Sequence, residues 1–90
     1  PDLTKALAVE LGSHGVTANS ISPEPIMTGI ARAKFKLVPE LEDRLSLATA
    51  LGRMGDADEI AGGALFLASA DAGDVTGHDL VIDGGTLAKG

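Results

Sequence analysis

Two runs of strand-forming residues, far apart and separated by helical patterns, constrain this sequence most. Val16 to Ser22 contains Val, Thr and Ile and ends at Pro23, which has no N–H to offer a ladder. Leu80 to Ile82 is the second run, closed by the turn Asp83-Gly84-Gly85. Strand, helical crossover and strand make a βαβ unit, predicted to be parallel and right-handed. The fold class is α/β. Two strands alone make a poor sheet, because three or more are usually needed for independent stability.

The helical patterns are read from spacing. Leu3, Leu7 and Leu11 share one stripe of a helix over Asp2 to Leu11, with Asp2 as N-cap and Gly12 and Gly15 as the stop. After the loop Pro23-Glu24-Pro25-Ile26-Met27-Thr28-Gly29, a short helix is predicted over Ile30 to Lys36. Pro39 breaks it, and helical spacing resumes from Glu40 to Leu51 through Leu41, Leu45 and Ala48. Gly52 to Gly55 reads as a turn. Asp56 with Glu59 then forms a capping-box start for a helix whose apolar face is Ile60, Ala61, Ala64, Leu65 and Ala68. Gly62-Gly63 inside that helix costs about 1 kcal/mol per glycine relative to Ala, a cost tolerated where backbone must approach backbone closely. Asp71 to Asp74 is expected to be a loop, and Thr86 to Gly90 a tail.

Composition sets outer limits. Ninety residues make at most one small domain, and with 44% hydrophobic but 2% aromatic residues any core is built from Ala, Val, Ile and Leu. There is no cysteine, so neither a disulfide framework nor a thiolate metal site can reinforce it. Cysteine absence fits a cytoplasmic protein. A net charge of −6 argues against nucleic acid or an anionic membrane as partner. No run approaches the roughly 18 apolar residues of a membrane-spanning helix, and no signal peptide is visible. The chain opens on Pro1, which fits initiator removal or a start partway through a longer protein.

Four segments, in order and spacing, resemble the short-chain dehydrogenase/reductase family. Leu3 to Leu11 resembles the helix that follows the family's Tyr-x-x-x-Lys. Val16-Thr17-Ala18-Asn19-Ser20-Ile21-Ser22-Pro23 resembles its sixth strand. Leu51-Gly52-Arg53-Met54-Gly55 with Asp58-Glu59-Ile60-Ala61 resembles the approach to its last long helix. Ala68 to Asp71, Val75-Thr76-Gly77 and Val81-Ile82-Asp83-Gly84-Gly85 resemble its ending. The resemblance covers nearly the whole of residues 1–90, and the ordered set is specific where each piece is weak.

The resemblance implies the C-terminal part of a doubly wound Rossmann-type parallel sheet, two strands with flanking helices. It implies a parent enzyme that interconverts an alcohol and a ketone with NAD or NADP. Pro23, Ile26 and Thr28 match the positions where backbone and a hydroxyl contact the nicotinamide carboxamide, and residues 27–47 match the variable lid over the substrate. No residue here matches the catalytic set: the chain has no Tyr, and no Gly-x-x-x-Gly-x-Gly cradle for a pyrophosphate. By itself the chain is therefore expected to catalyse nothing and to bind no cofactor. It is expected to self-associate or to join an N-terminal part. Where the family usually has Pro-Gly, this chain has Pro23-Glu24. Glycine there permits φ > 0 and close approach to a ligand, so Glu24 is expected to weaken contact with an anionic dinucleotide.

Each residue also has a purely structural reading. Thr28 fits a local turn hydroxyl, and Asn19 a polar group bonded to backbone. His14 and His78 lack partner spacing for a metal or a general base. Asp56, Asp58 and Glu59 suit a helix's first turn, and Arg53 suits a local carboxylate partner. Asp71 and Asp74 lack the ligand spacing of a calcium loop, and Ser20 and Ser22 lack the context of a nucleophile elbow. The alternative to an enzyme segment is a non-catalytic module that associates through exposed helix faces and its last strand.

Overall fold

A computed structural model describes residues 2–90. The elements are α1 (Leu3–Gly12), β1 (Ser20–Pro23), β2 (Ile26–Met27), α2 (Gly29–Leu37), α3 (Pro39–Leu47), β3 (Gly55–Asp56), α4 (Ala57–Ala68), a 3₁₀ turn (Ala70–Ala72), β4 (Asp79–Ile82) and α5 (Thr86–Lys89). β1 and β4 pair in parallel, Ser20 opposite Asp79 through Pro23 opposite Ile82, as the βαβ reading requires. A second parallel pair is added by β2 and β3, with Ile26 opposite Gly55. Gly55 was expected in a turn. It pairs because its amide reaches the Pro25 carbonyl at 2.7 Å and its missing Cβ leaves room for Ile26 Cδ1.

The first strand starts later than its β-branched run suggests. Ala18 and Asn19 spend their hydrogen bonds on the distant loop 75–78. Ala18 N–H donates to Thr76 Oγ1 at 3.1 Å, and Gly77 N–H donates to the Ala18 carbonyl at 2.8 Å. Asn19 Nδ2 donates to the Val75 carbonyl and Asn19 Oδ1 accepts from His78 N–H, which settles Asn19 as a backbone clamp.

Caps fix the helices. Asp2 accepts from Thr4 N–H at 2.9 Å, and Gly15 in the left-handed region follows the end of α1. Asp56 and Glu59 form the predicted capping box of α4. Pro39 does more than end α2, since it occupies the first turn of α3, where its absent N–H is not needed. Helix α3 stops at Leu47, short of the predicted Leu51, because Thr49 draws the chain into a tight turn. Its Oγ1 accepts from Gly52 and Arg53 N–H at 2.9 and 3.1 Å and lies 2.8 Å from the Ser46 carbonyl. The expected tail instead forms α5, because the Asp83 carboxylate accepts from Gly85 and Leu87 N–H, each at 2.9 Å.

The interior is small. Ala8, Phe35 and Ala72 are the buried apolar residues among those described, and Thr49 is the buried polar one. The predicted α1 stripe is covered only towards its end: Leu3 is 72% and Leu7 38% exposed while Leu11 is half-buried, and α1 docks through Ala8 against the Gly77 turn. Helix α4 sits on the sheet through Gly63, where a Cβ would come within 2.5 Å of Ile82 Cδ1. The radius of gyration is 15.9 Å, against about 12 Å for a compact domain of this length. The accessible surface is 6256 Å², where a compact chain of 9.0 kDa exposes about 4,900 Å². Both numbers describe an open slab with its apolar faces uncovered.

Candidate functional site

Because β1 and β4 are parallel, the loops that follow them leave from the same edge of the sheet. Crevices outside the carboxyl ends of strands are where open α/β sheets bind ligands. From β1 comes Pro23 to Thr28, and from β4 the turn Asp83-Gly84-Gly85. Between them lies a cleft of about 350 Å³, walled by Glu24, Pro25, Ala50, Leu51, Arg53 and the 81–85 segment.

The floor of this edge is held by two junctions. Gly84 and Gly85 have φ of 61° and 89°; a Cβ on Gly85 would collide with Ala50 at 2.6 Å, and one on Gly84 would crowd Thr49 at 3.3 Å. The close approach lets Leu51 N–H reach the Gly84 carbonyl at 3.0 Å. The other junction is the Arg53 guanidinium, which bonds Glu59 through both arms and also reaches the Met54 carbonyl at 3.1 Å. The Arg53 hydrogen bond and the Asp56 backbone N–H hold the Glu59 carboxyl down at about 2. Glu59 raises Arg53 in turn. Backbone amides of Leu87 and Gly85 likewise keep Asp83 below the usual carboxylate range.

Of the three residues read as cofactor contacts, Pro23 ends β1 opposite Ile82 and is exposed. Ile26 lies in β2, half-buried, with Cδ1 over Gly55. Thr28 caps α2: its Oγ1 accepts from Ala31 N–H at 3.1 Å. Capping uses a lone pair and leaves the hydroxyl proton free to donate, so the structural role of Thr28 is compatible with a ligand contact. The three share one short segment at the carboxyl edge, but they do not line the 350 Å³ cleft beside it.

Glu24 does line that cleft. The expectation that its position calls for a glycine is corrected by the backbone: no non-glycine residue among those described has positive φ. Its N–H also donates to the Ile82 carbonyl at 3.2 Å, an ordinary extension of the ladder. What remains of the argument is charge, since Glu24 adds to Asp83 and the paired Glu59 around the cleft.

Sequence reasoning missed two groups. Thr49, the buried polar hub, gave no signal beyond being a threonine after a helix. Asp79 accepts from Ser20 Oγ at 3.0 Å and from Ser22 Oγ at 2.9 Å, locking the register of β1 on β4. The two-residue spacing of Ser20 and Ser22, which puts both on one face, was the available clue.

Comparison with known proteins extends the geometry. A family model described as enoyl-(acyl carrier protein) reductase matches residues 1–86. A (+)-borneol dehydrogenase of Salvia officinalis is 46% identical over 84 residues, covering 92% of this chain and 32% of that protein. A solved structure of ElxO with NADP bound superposes with a TM-score of 0.89 at 35% identity, covering 96% of this chain and 35% of that one. A 2-deoxy-D-gluconate 3-dehydrogenase structure from Agrobacterium tumefaciens, described as putative and with NADP bound, gives 0.86 at 38% identity, covering 96% and 35%. The chain spans about a third of the length of the relatives it matches.

Proposed function

The chain belongs to the short-chain dehydrogenase/reductase family, and from that premise we propose that it is the nicotinamide-side and lid segment of an oxidoreductase interconverting an alcohol and a ketone. The observation that carries this reading is the Pro23–Thr28 segment, which leaves the carboxyl end of a parallel strand with a free hydroxyl proton on Thr28. A bound NAD or NADP supplies hydride transfer. The residues of this chain do the holding: Pro23 and Ile26 offer apolar contact, Thr28 donates to the carboxamide, and residues 27–47 exclude water above the substrate. Proton transfer falls outside these 90 residues, which contain no tyrosine. The purified chain by itself therefore oxidises no NADH. Docking with an N-terminal part completes the site, and self-association covers the remaining apolar faces. The uncovered faces described above support that part of the reading.

A chimera tests it. The matching segment of the Salvia borneol dehydrogenase is replaced by this chain, at 46% identity. The chimera is expected to bind dinucleotide, and Thr28→Ala in it to weaken that binding about tenfold, the size of one lost donor in a dry site. A folded chimera that binds no dinucleotide refutes the reading.

A further inference from the structure

The lid carries a charge pattern that the reading above does not use. The chain has a net charge of −6, yet α2 carries Arg32, Lys34 and Lys36 and no acid. Lys34 and Lys36 lie in the last turn, where the helix dipole favours cations. Arg32 lies in the first half of the helix, where the dipole gives no such support. It shares a face with Lys36, four residues on.

That face borders a separate cleft of about 260 Å³ between α2 and α3, lined by Met27, Arg32, Phe35, Lys36 and Glu42. Phe35 is buried and Met27 half-buried, so the floor is apolar and the helix face is anchored. Among the described residues the ion pair is Arg53 with Glu59, so both cations of the cleft are uncommitted. Two cations against the Glu42 carboxylate leave one net positive charge over an apolar floor.

We propose that this cleft seats the carboxylate of a small oxo- or hydroxy-acid, an inference that rests on the oxidoreductase reading and names its substrate class. A monoanion matches the single net charge, and the carbon chain of the acid matches Phe35 and Met27. Thr28 is one turn before Arg32, about 6 Å along the axis. Met27, next to Thr28, lines the same cleft, so an acid held by its carboxylate at Arg32 and Lys36 lies beside the Thr28 segment.

The test is binding to the folded chimera described above, labelled within residues 27–42 and followed through amide resonances, with hexanoate, hexan-1-ol and hexyl phosphate as probes. Hexanoate is expected to perturb residues 27–42 and to bind about tenfold more tightly than hexanol, the size of one charge-assisted contact. Arg32→Gln with Lys36→Gln removes that preference, and Glu42→Gln tightens hexanoate binding. All three side chains lie at the surface of the cleft, so the substitutions leave Phe35 and the fold intact. Equal binding of hexanol and hexanoate, or a preference untouched by the double variant, overturns the proposal. So does hexyl phosphate binding more tightly than hexanoate, which would mark a site for a dianion. No cofactor or hydride step enters this measurement, so failure of the oxidoreductase reading shows in dinucleotide binding and failure of the carboxylate site shows in the hexanoate preference.

Discussion

The Arg53 guanidinium grips both oxygens of the Glu59 carboxylate, at 2.9 and 3.0 Å, while Glu59 also accepts from Asp56 N–H at 2.9 Å. One side chain thus closes the capping box of α4 and pins the loop that carries β3. Sequence spacing alone predicts the cap. The pairing with Arg53, six residues earlier, needs the folded turn.

The pair sets an acid sensitivity. Glu59 is held at about 2 against an ordinary 4.5, so its pKa is lower in the folded state. Its contribution is complete above pH 4.5 and is lost as pH falls towards 2. Asp83 shifts in the same direction and adds to the same acid-side loss. Thermal midpoints measured from pH 5 to 2 are expected to fall, and Glu59→Gln is expected to flatten part of that fall. An unchanged slope in the variant would remove Glu59 from the account.

Thr49 is 2% exposed and serves four backbone groups with one hydroxyl. Thr49→Val keeps the shape and strands the Gly52 and Arg53 amides. A loss of about 1–3 kcal/mol is expected, concentrated in the 48–53 turn. Hydrogen exchange at Gly52 and Arg53 should quicken in Thr49→Val and stay slow in Thr49→Ser.

Gly62 and Gly63 are neighbours with opposite surroundings. A Cβ at Gly62 meets nothing within 4 Å, whereas one at Gly63 meets Ile82 at 2.5 Å and Leu80 at 3.2 Å. Gly62→Ala is expected to stabilise by about 0.5–1 kcal/mol through helix propensity. Gly63→Val is expected to destabilise by about 1–3 kcal/mol as α4 lifts from β4. Denaturant midpoints that move in the same direction for both would contradict this packing.

The excess of 6256 Å² over the compact value predicts association. Leu3, Val9, Leu65 and Leu87 are each more than 70% exposed, and burying a leucine or valine contributes about 1.5–3 kcal/mol. Sedimentation of the purified chain is expected to show oligomers that shift with concentration. A single monomer boundary combined with cooperative unfolding would rule this out.

Glu24 now makes a sharper prediction than sequence allowed. Its backbone is not left-handed, so glycine relieves no strain there. In the chimera, Glu24→Gln and Glu24→Gly are expected to tighten dinucleotide binding by the same factor, at most about fivefold for an exposed charge. Calorimetry at low salt separates the cases: a gain confined to Glu24→Gly would restore the backbone argument.

What the sequence determined by itself is local or periodic. The Asp56–Glu59 cap, the stop at Gly15 and the Asp83-Gly84-Gly85 turn are chemistry within a few residues, and they stand where the residue types put them. The parallel pairing of β1 with β4 follows from two strand runs with a helical crossover between them. What only the tertiary structure decided depends on partners far along the chain. Asn19 shortens β1 because its amide finds residues 75 and 78. Thr49 ends α3 through a local turn, but that turn is buried only because Gly84, far along the chain, has no side chain to crowd the Thr49 Cβ. The leucine stripe of α1 was legible as apolar, and the loss of its neighbours was anticipated, but how much of each leucine stays exposed was not. Periodicity reports which side of a helix seeks cover, and only the assembled chain shows whether anything is there to cover it.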